Sequence, residues 1–314
     1  MRVGVIFPGQ GSQAVGMGVE IAREFPAAME CFQSAKHVLG YDLLGLCEGG
    51  PESTLRETRY AQPAIFVTNV ALRAAVGDML RPVASAGHSF GEYCSLTIAD
   101  AMSFEAALAL VNERGLAMHR AAQVAHGAMA AVLGLDPAAL RRTAASVVAS
   151  GAGRVQLANF NAPGQIVISG DADAVRLAGE AALAAGAKRV VPLNVAGAWH
   201  STLMDPARAE FEPRVRAAAI TMPCFTVISN VDAQPYRDVA HIRENLVRSV
   251  TDEVRWHDAA VALAGIGLDL IVEFGASPVL APMMKRIDGA PQAVSAGDIG
   301  GVRKLRSMLS PAGV

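Results

Sequence analysis

Five residues, Gly87-His88-Ser89-Phe90-Gly91, set a serine between two glycines in the pattern G-x-S-x-G. Where such a segment joins a strand to a helix, the serine sits on a sharp turn with its hydroxyl exposed, and the glycines let the two backbones approach closely. The N–H after the serine can then donate to an oxyanion, and the new helix start adds a favourable dipole. The same residues also read as a glycine-rich turn whose serine caps a helix. A nucleophilic serine needs a base. Of the seven histidines, His200 is the best placed, in a short loop where two stretches of different character meet and clefts form. It competes with the reading of a loop histidine satisfied by its surroundings. His88 adjoins the serine, but neighbours on a tight turn diverge, and the other five read as surface residues. Asp205, Asp232 and a main-chain carbonyl are all open as the group that orients the base. Arg114 stands in the largely apolar run from Ala107 to Met118. It reads either as a solvated residue paired with Glu113 or another acid, or as a bidentate clamp on a carboxylate, a geometry that suits guanidinium.

These groups need strands to hold them. Val3 to Phe7 reads as a buried strand running into Pro8-Gly9-Gln10-Gly11-Ser12-Gln13. That loop lacks G-x-G-x-x-G and G-K-[ST], so its backbone N–H groups suit an active site better than a nucleotide. Helices are expected over 17–38, 64–80 (opened by Gln62-Pro63) and 104–122 (capped by Ser103), with a short helical turn over 41–47 and a polar loop over 48–53. The strand 81–86 leads into the serine turn, and a helix follows to about 101. Residues 126–195 change character: β-α-β-β-α-β, with Asn161-Ala162-Pro163-Gly164 as a hairpin turn, is the ferredoxin-like order. Strand-helix alternation resumes afterwards, so this unit is expected to be an insert. Expected beyond it are helices over 202–218, 238–249, 256–265 and 300–310, and strands at 225–229, 269–274 and from 294.

A chain of 314 residues, 52% hydrophobic and 18% charged, has ample material for a core and is far from disorder. A net charge of -2 gives no bulk drive toward nucleic acid or an anionic membrane. Cys31, Cys47, Cys94 and Cys224 are scattered, which argues against a zinc site and for reduced thiols. Cys94 lies near the serine but reads as a small core residue. The apolar start is too short for a signal peptide, and no stretch approaches 18 uninterrupted apolar residues. A soluble cytoplasmic protein is expected.

The motifs taken together resemble a family. Phe7-Pro8-Gly9-Gln10-Gly11-Ser12-Gln13, Gly87-His88-Ser89-Phe90-Gly91-Glu92-Tyr93, Glu113-Arg114-Gly115, Met129-Ala130-Ala131, Asn159 to Gln165 and His200-Ser201-Thr202-Leu203-Met204 closely resemble malonyl-CoA:acyl-carrier-protein transacylases, including those serving polyketide synthases in trans. The resemblance runs from residue 3 to about 310. It implies an α/β fold: an α/β-hydrolase-like subdomain with a parallel sheet (1–125 and 196–314) and an inserted ferredoxin-like subdomain (126–195). It further implies Ser89 as acyl acceptor, His200 as base oriented by a main-chain carbonyl matched to Ser249, and the Gln10 and Phe90 N–H groups as oxyanion hole. Arg114 would pair with the malonyl carboxylate, and Trp199, Met118, Asn159 and His88 would line the substrate site. Implied too are malonyl-CoA as substrate, no metal or resident cofactor, and a transient acidic acyl carrier protein whose phosphopantetheine thiol receives the acyl group. A monomer is expected. Phe90 stands where the family usually has leucine and adds bulk near the nucleophile. Trp199 stands where it has serine or phenylalanine, which implies malonyl over methylmalonyl. Lys188, Arg189, Lys285 and Arg286 are candidates for the carrier's docking face. The alternatives are an acyl hydrolase that clears carrier proteins, against which Arg114 argues, and a non-catalytic docking module, against which the intact triplet of Ser89, His200 and Arg114 argues.

Overall fold

The computed structural model describes residues 1–310, so the last four residues of the expected 196–314 segment lie outside it. Nine strands occur among the described residues: β1 (Val3–Phe7), β2 (Pro82–Gly87), β3 (Gly127–Leu133), β4 (Val155–Ala162), β5 (Gln165–Asp171), β6 (Arg189–Pro192), β7 (Thr226–Ile228), β8 (Leu270–Glu273) and β9 (Gln292–Ser295). They form two sheets. The larger has the order β7-β2-β1-β8-β9 and is parallel throughout. Parallel strands are covered on both faces, which is why β1 is a continuous apolar run with every residue buried. Val5 and Phe7 face one core, shared with the helices Thr58–Val76 and Phe104–Val124. Ile6 faces the other, with Trp256 and Leu263 of the helix Trp256–Ala264.

The smaller sheet is antiparallel, in the order β4-β5-β3-β6. That is the ferredoxin-like arrangement, the first and third strands of the unit lying side by side at its centre. Helices Pro137–Ala149 and Ala172–Ala184 bury Leu140, Val147, Val175 and Ala178 against one face. The other face sends Met129, Ala158 and Val167 into the main core. The sheet's edge strand, β4, is partly covered. Val254 bridges to Asn159, its N–H donating to the Ala158 carbonyl (2.8 Å) and its carbonyl accepting from Phe160 N–H (2.9 Å). That bridge covers the middle of the β4 edge and leaves less of it open to other chains.

Several elements depart from expectation for local reasons. The helix expected over 17–38 is two, Val19–Glu24 and Pro26–Leu39, because Phe25 takes an extended conformation before Pro26, which is suited to a first helical position but not to an interior. The helix expected to open at Pro63 begins at Thr58, with Pro63 accommodated in its second turn. A short helix, Glu52–Arg56, occupies part of the expected polar loop. The segment after His200 starts as a 3₁₀ turn, Thr202–Met204, before the helix Asp205–Ala217. Ser103 caps its helix as expected, its Oγ accepting from Ala106 N–H at 3.1 Å.

Candidate active site

Ser89 lies between the end of β2 at Gly87 and the helix Gly91–Ile98. Its φ is 53°, in the left-handed region that costs a non-glycine residue about 1–3 kcal/mol. The bracketing glycines are a steric necessity. A Cβ at Gly87 would collide with the Gly91 backbone, and one at Gly91 with the Phe7 carbonyl. The strained turn is held from outside by Asn230, which accepts from Ser89 N–H (3.1 Å) and donates to the Ser89 carbonyl (3.0 Å). Asn230 is held in turn by Glu92, whose Oε1 accepts from Asn230 N–H (2.9 Å) and Tyr236 OH (2.7 Å). Burial raises the Glu92 pKa against those bonds. The N–H groups of Gly91, Glu92 and Tyr93 find carbonyls within the turn. That leaves the N–H of Phe90, directly after the serine, as the donor at the helix start.

His200 Nε2 is 2.8 Å from Ser89 Oγ. Its Nδ1 is 3.2 Å from the Asp252 carbonyl. A carbonyl only accepts, so Nδ1 carries the hydrogen and Nε2 is free to take the serine proton. The helix Val239–Arg248 ends just before these residues, and carbonyls beyond a helix end lack intrahelical partners. The expected Ser249 carbonyl does not act alone. The geometric bond is to Asp252; the Ser249 carbonyl also faces the ring and contributes less. Asp232 instead bonds His241 (2.7 Å), and Asp205 is exposed, so neither orients the base. Burial, then the nearby Arg114 charge and His88, bring the His200 pKa down to about 3, so the ring is neutral at physiological pH.

Arg114 is 1% exposed, which rules out the solvated reading. Glu113 pairs with Arg214 instead. The guanidinium donates to Gln62 Oε1 (2.9 Å), reaches Ser89 Oγ at 3.4 Å, and has no carboxylate partner among the described residues. A buried cation without an anion is costly, several kcal/mol after relaxation, so this group is poised for one that arrives with a ligand.

These groups share a cavity of about 180 Å³ with Gln10, Gln62, His88, Met118, Asn159 and Trp199. Gln10 is tethered by its side chain to Thr58 Oγ1 (3.1 Å), and its loop by Asn69, which donates to the Pro8 carbonyl (3.1 Å). His88 turns its ring from the serine, as expected, and bonds Asn161 Oδ1 (2.9 Å). Trp199 is 5% exposed, and its indole N–H has no acceptor among the described residues. Phe90 is a correction to expectation. Its side chain is buried in the main core and does not line the cavity, so it adds no bulk beside the nucleophile. A larger groove of about 750 Å³ adjoins Arg141, Phe160 and His257 but holds no comparable nucleophile and base.

Sequence reasoning missed Gln62, Asn69, Asn230 and Asp252. Gln62 sat beside a proline that invited a helix-boundary reading; the others are amides and a carbonyl with no local pattern. As assembled, the site pairs a hydroxyl with a neutral base, an oxyanion donor and an unpaired cation. It suits acyl transfer to and from a carboxylated acyl group.

Known proteins agree in sequence and shape. An acyl transferase domain family model matches residues 5–300. The malonyl CoA-acyl carrier protein transacylase of Bacillus subtilis is 39% identical over 298 residues, covering 95% of this chain and 94% of that protein. An acyl carrier protein S-malonyltransferase from Vibrio cholerae superposes with a TM-score of 0.92 at 36% identity, covering 97% of this chain and 100% of that one. A malonyl-transacylase solved with its type II PKS acyl-carrier protein gives 0.93 at 35% identity, covering 98% and 100%.

Proposed function

The chain belongs to the acyl transferase domain family, and from that premise we propose that it is a malonyl-CoA:acyl-carrier-protein S-malonyltransferase working through a malonyl-serine ester. The observation that carries the reading is Ser89 Oγ lying 2.8 Å from the base and 3.4 Å from a buried, unpaired guanidinium. Ser89 Oγ attacks the thioester carbon while His200 Nε2 takes its proton. The developing oxyanion is held by the N–H groups of Phe90 and Gln10. The C–S bond breaks, and the proton passes to the departing CoA sulfur. In the second half, His200 takes a proton from the carrier's phosphopantetheine thiol, which attacks the ester and returns Ser89 to its free form. Arg114 fixes the malonyl carboxylate throughout and so holds the ester carbonyl in one pose for the thiol. No metal or resident cofactor enters any step. A hydrolase of mixed acyl groups would gain nothing from burying that charge.

In single-turnover competition, malonyl-loaded protein passes its acyl group to a carrier thiol much faster than to water. Hydrolysis that keeps pace with transfer would overturn the reading.

Residues 126–195 serve in this reading as the inserted subdomain that walls the cavity with Met118, His88, Asn159 and Trp199 from both sides of the junction. Trp199 narrows the space at the acyl α-carbon. Trp199→Ser should raise the kcat/KM of methylmalonyl-CoA relative to malonyl-CoA about tenfold, the scale of one extra methyl in a tight pocket. An unchanged ratio would remove Trp199 as the selector.

The partner is an acidic carrier protein. Supporting this, Arg286 donates to the Pro163 carbonyl (2.6 Å) and Gln165 Oε1 (2.9 Å) at the β4-β5 turn. The side chain of Lys188 reaches Gly134, which bonds Gly164 in the same turn. Lys188, Arg189, Lys285 and Arg286 are all exposed. The protein acts as a monomer, since one chain supplies every group used. It acts in the cytoplasm, a setting that suits its four free cysteines. No helix among the described residues is long and apolar enough to cross a membrane.

A further inference from the structure

Both members of the reacting pair sit on left-handed backbone, Ser89 at φ 53° and His200 at φ 56°. Such conformations persist only where the surroundings over-determine them. Asn230 does this for the serine. For the histidine, the corresponding group comes from the inserted subdomain. Gln156, on β4, donates through Nε2 to the His200 carbonyl (3.3 Å) and the Thr251 carbonyl (3.4 Å), and its Oε1 accepts from Thr202 N–H (3.1 Å). One carboxamide thus spans both sides of the base: the backbone that bears the ring, and the segment whose Asp252 carbonyl aims it. The same segment is tied to β4 two residues later through the Val254 bridge.

We propose that Gln156 is a positioning residue for the base, through which the inserted subdomain sets the register between His200 and the Asp252 carbonyl. The proposal rests on His200 being the base. Gln156 does not touch the cavity, so it acts through His200 alone. A small loss of registry between reacting groups can cost about a hundredfold in rate, with little effect on substrate binding.

The test uses the whole protein, with His200→Ala as the control for the base itself. Gln156→Met keeps the length and removes all three bonds. It should lower kcat for malonyl transfer about ten- to a hundredfold per folded molecule, leaving KM for malonyl-CoA within about twofold. Gln156→Glu keeps the acceptor for Thr202 but sets a carboxylate against two carbonyls. A carboxyl so placed titrates above its usual range and becomes a donor once protonated. Its kcat relative to wild type should therefore recover as pH falls from about 8 to about 5, a range in which His200 remains neutral. Arg141→Ala, which cuts the Glu253 pair across the same boundary (2.6 Å), should leave kcat unchanged. The proposal is overturned if Gln156→Met keeps kcat within twofold of wild type, if the Gln156→Glu ratio is flat with pH, or if Arg141→Ala loses as much kcat as Gln156→Met. Unfolding of both Gln156 variants would assign the residue to stability and overturn it equally. A full-rate Gln156→Met beside an inactive His200→Ala would refute the positioning role and leave the base assignment standing. An active His200→Ala would refute both.

Discussion

Ser89→Ala will abolish covalent loading by malonyl-CoA and lower transfer roughly 10⁴-fold or more, the scale at which removal of a nucleophile collapses an acyl-transfer site. The fold should survive, because the turn is held by Asn230 through the backbone of residue 89 and not through its hydroxyl. Mass spectrometry of the loaded protein checks the first part and thermal melting the second. A labelled Ser89→Ala variant would move the ester elsewhere. His200→Ala should lose rate on a similar scale, and the double variant little more than either single one, since the two residues act as a unit. The pH dependence follows from the base. A histidine brought down to about 3 is neutral, and so competent, at every pH well above that value. The acid limb of kcat/KM should then fall far below the ordinary histidine range. A limb near pH ~6.5 would mean that the functional base titrates as an exposed imidazole.

Arg114→Ala should cost malonyl-CoA about 10²- to 10³-fold in kcat/KM, as expected for a buried charge-assisted contact worth roughly 3–4 kcal/mol, while acetyl-CoA changes little or improves. Arg114→Lys should recover only part of the loss, because an ammonium cannot reproduce the planar fork that Gln62 orients. Thermal melting separates function from structure. If Arg114 were held for stability, replacing it would lower the melting temperature. A buried cation with no anion is instead a liability, so Arg114→Met should melt no lower than wild type. Equal losses for malonyl-CoA and acetyl-CoA would show that Arg114 does not read the carboxylate.

The serine turn could be read from sequence because backbone contact demands glycine on both sides of it, and that demand leaves a five-residue trace. His200 was legible less directly, from its place where the inserted unit rejoins the chain. Arg114 drew notice as a charge among apolar residues, but its partner did not: Gln62 lies 52 positions away. The supports are of the same kind. Asn230 reaches the serine across 141 positions, and Gln156 reaches His200 across 44, with ordinary amides that carry no spacing signal. The orienting carbonyl is harder still, because a backbone group is independent of residue type. Matching a position to the family led to Ser249, whose carbonyl faces the ring, while the geometric bond comes from Asp252, three residues further along. The helix break at Phe25 shows the opposite limit: periodicity spans it, and only the constraint that proline places on its predecessor divides one helix into two.

The nearness of Arg114 to His200 gives the substrate a part in setting the strength of the base. In the empty site the guanidinium charge helps depress the imidazole, second only to burial. In the proposed reaction, a malonyl carboxylate seated on Arg114 would cancel much of that field, and the imidazole would gain basicity as the thioester arrives. An acetyl group entering the same space would leave the field intact and meet a weaker base. On the proposed role of Arg114, the two acyl groups would be distinguished twice, once by affinity and again by proton-transfer driving force, the second at the instant of reaction.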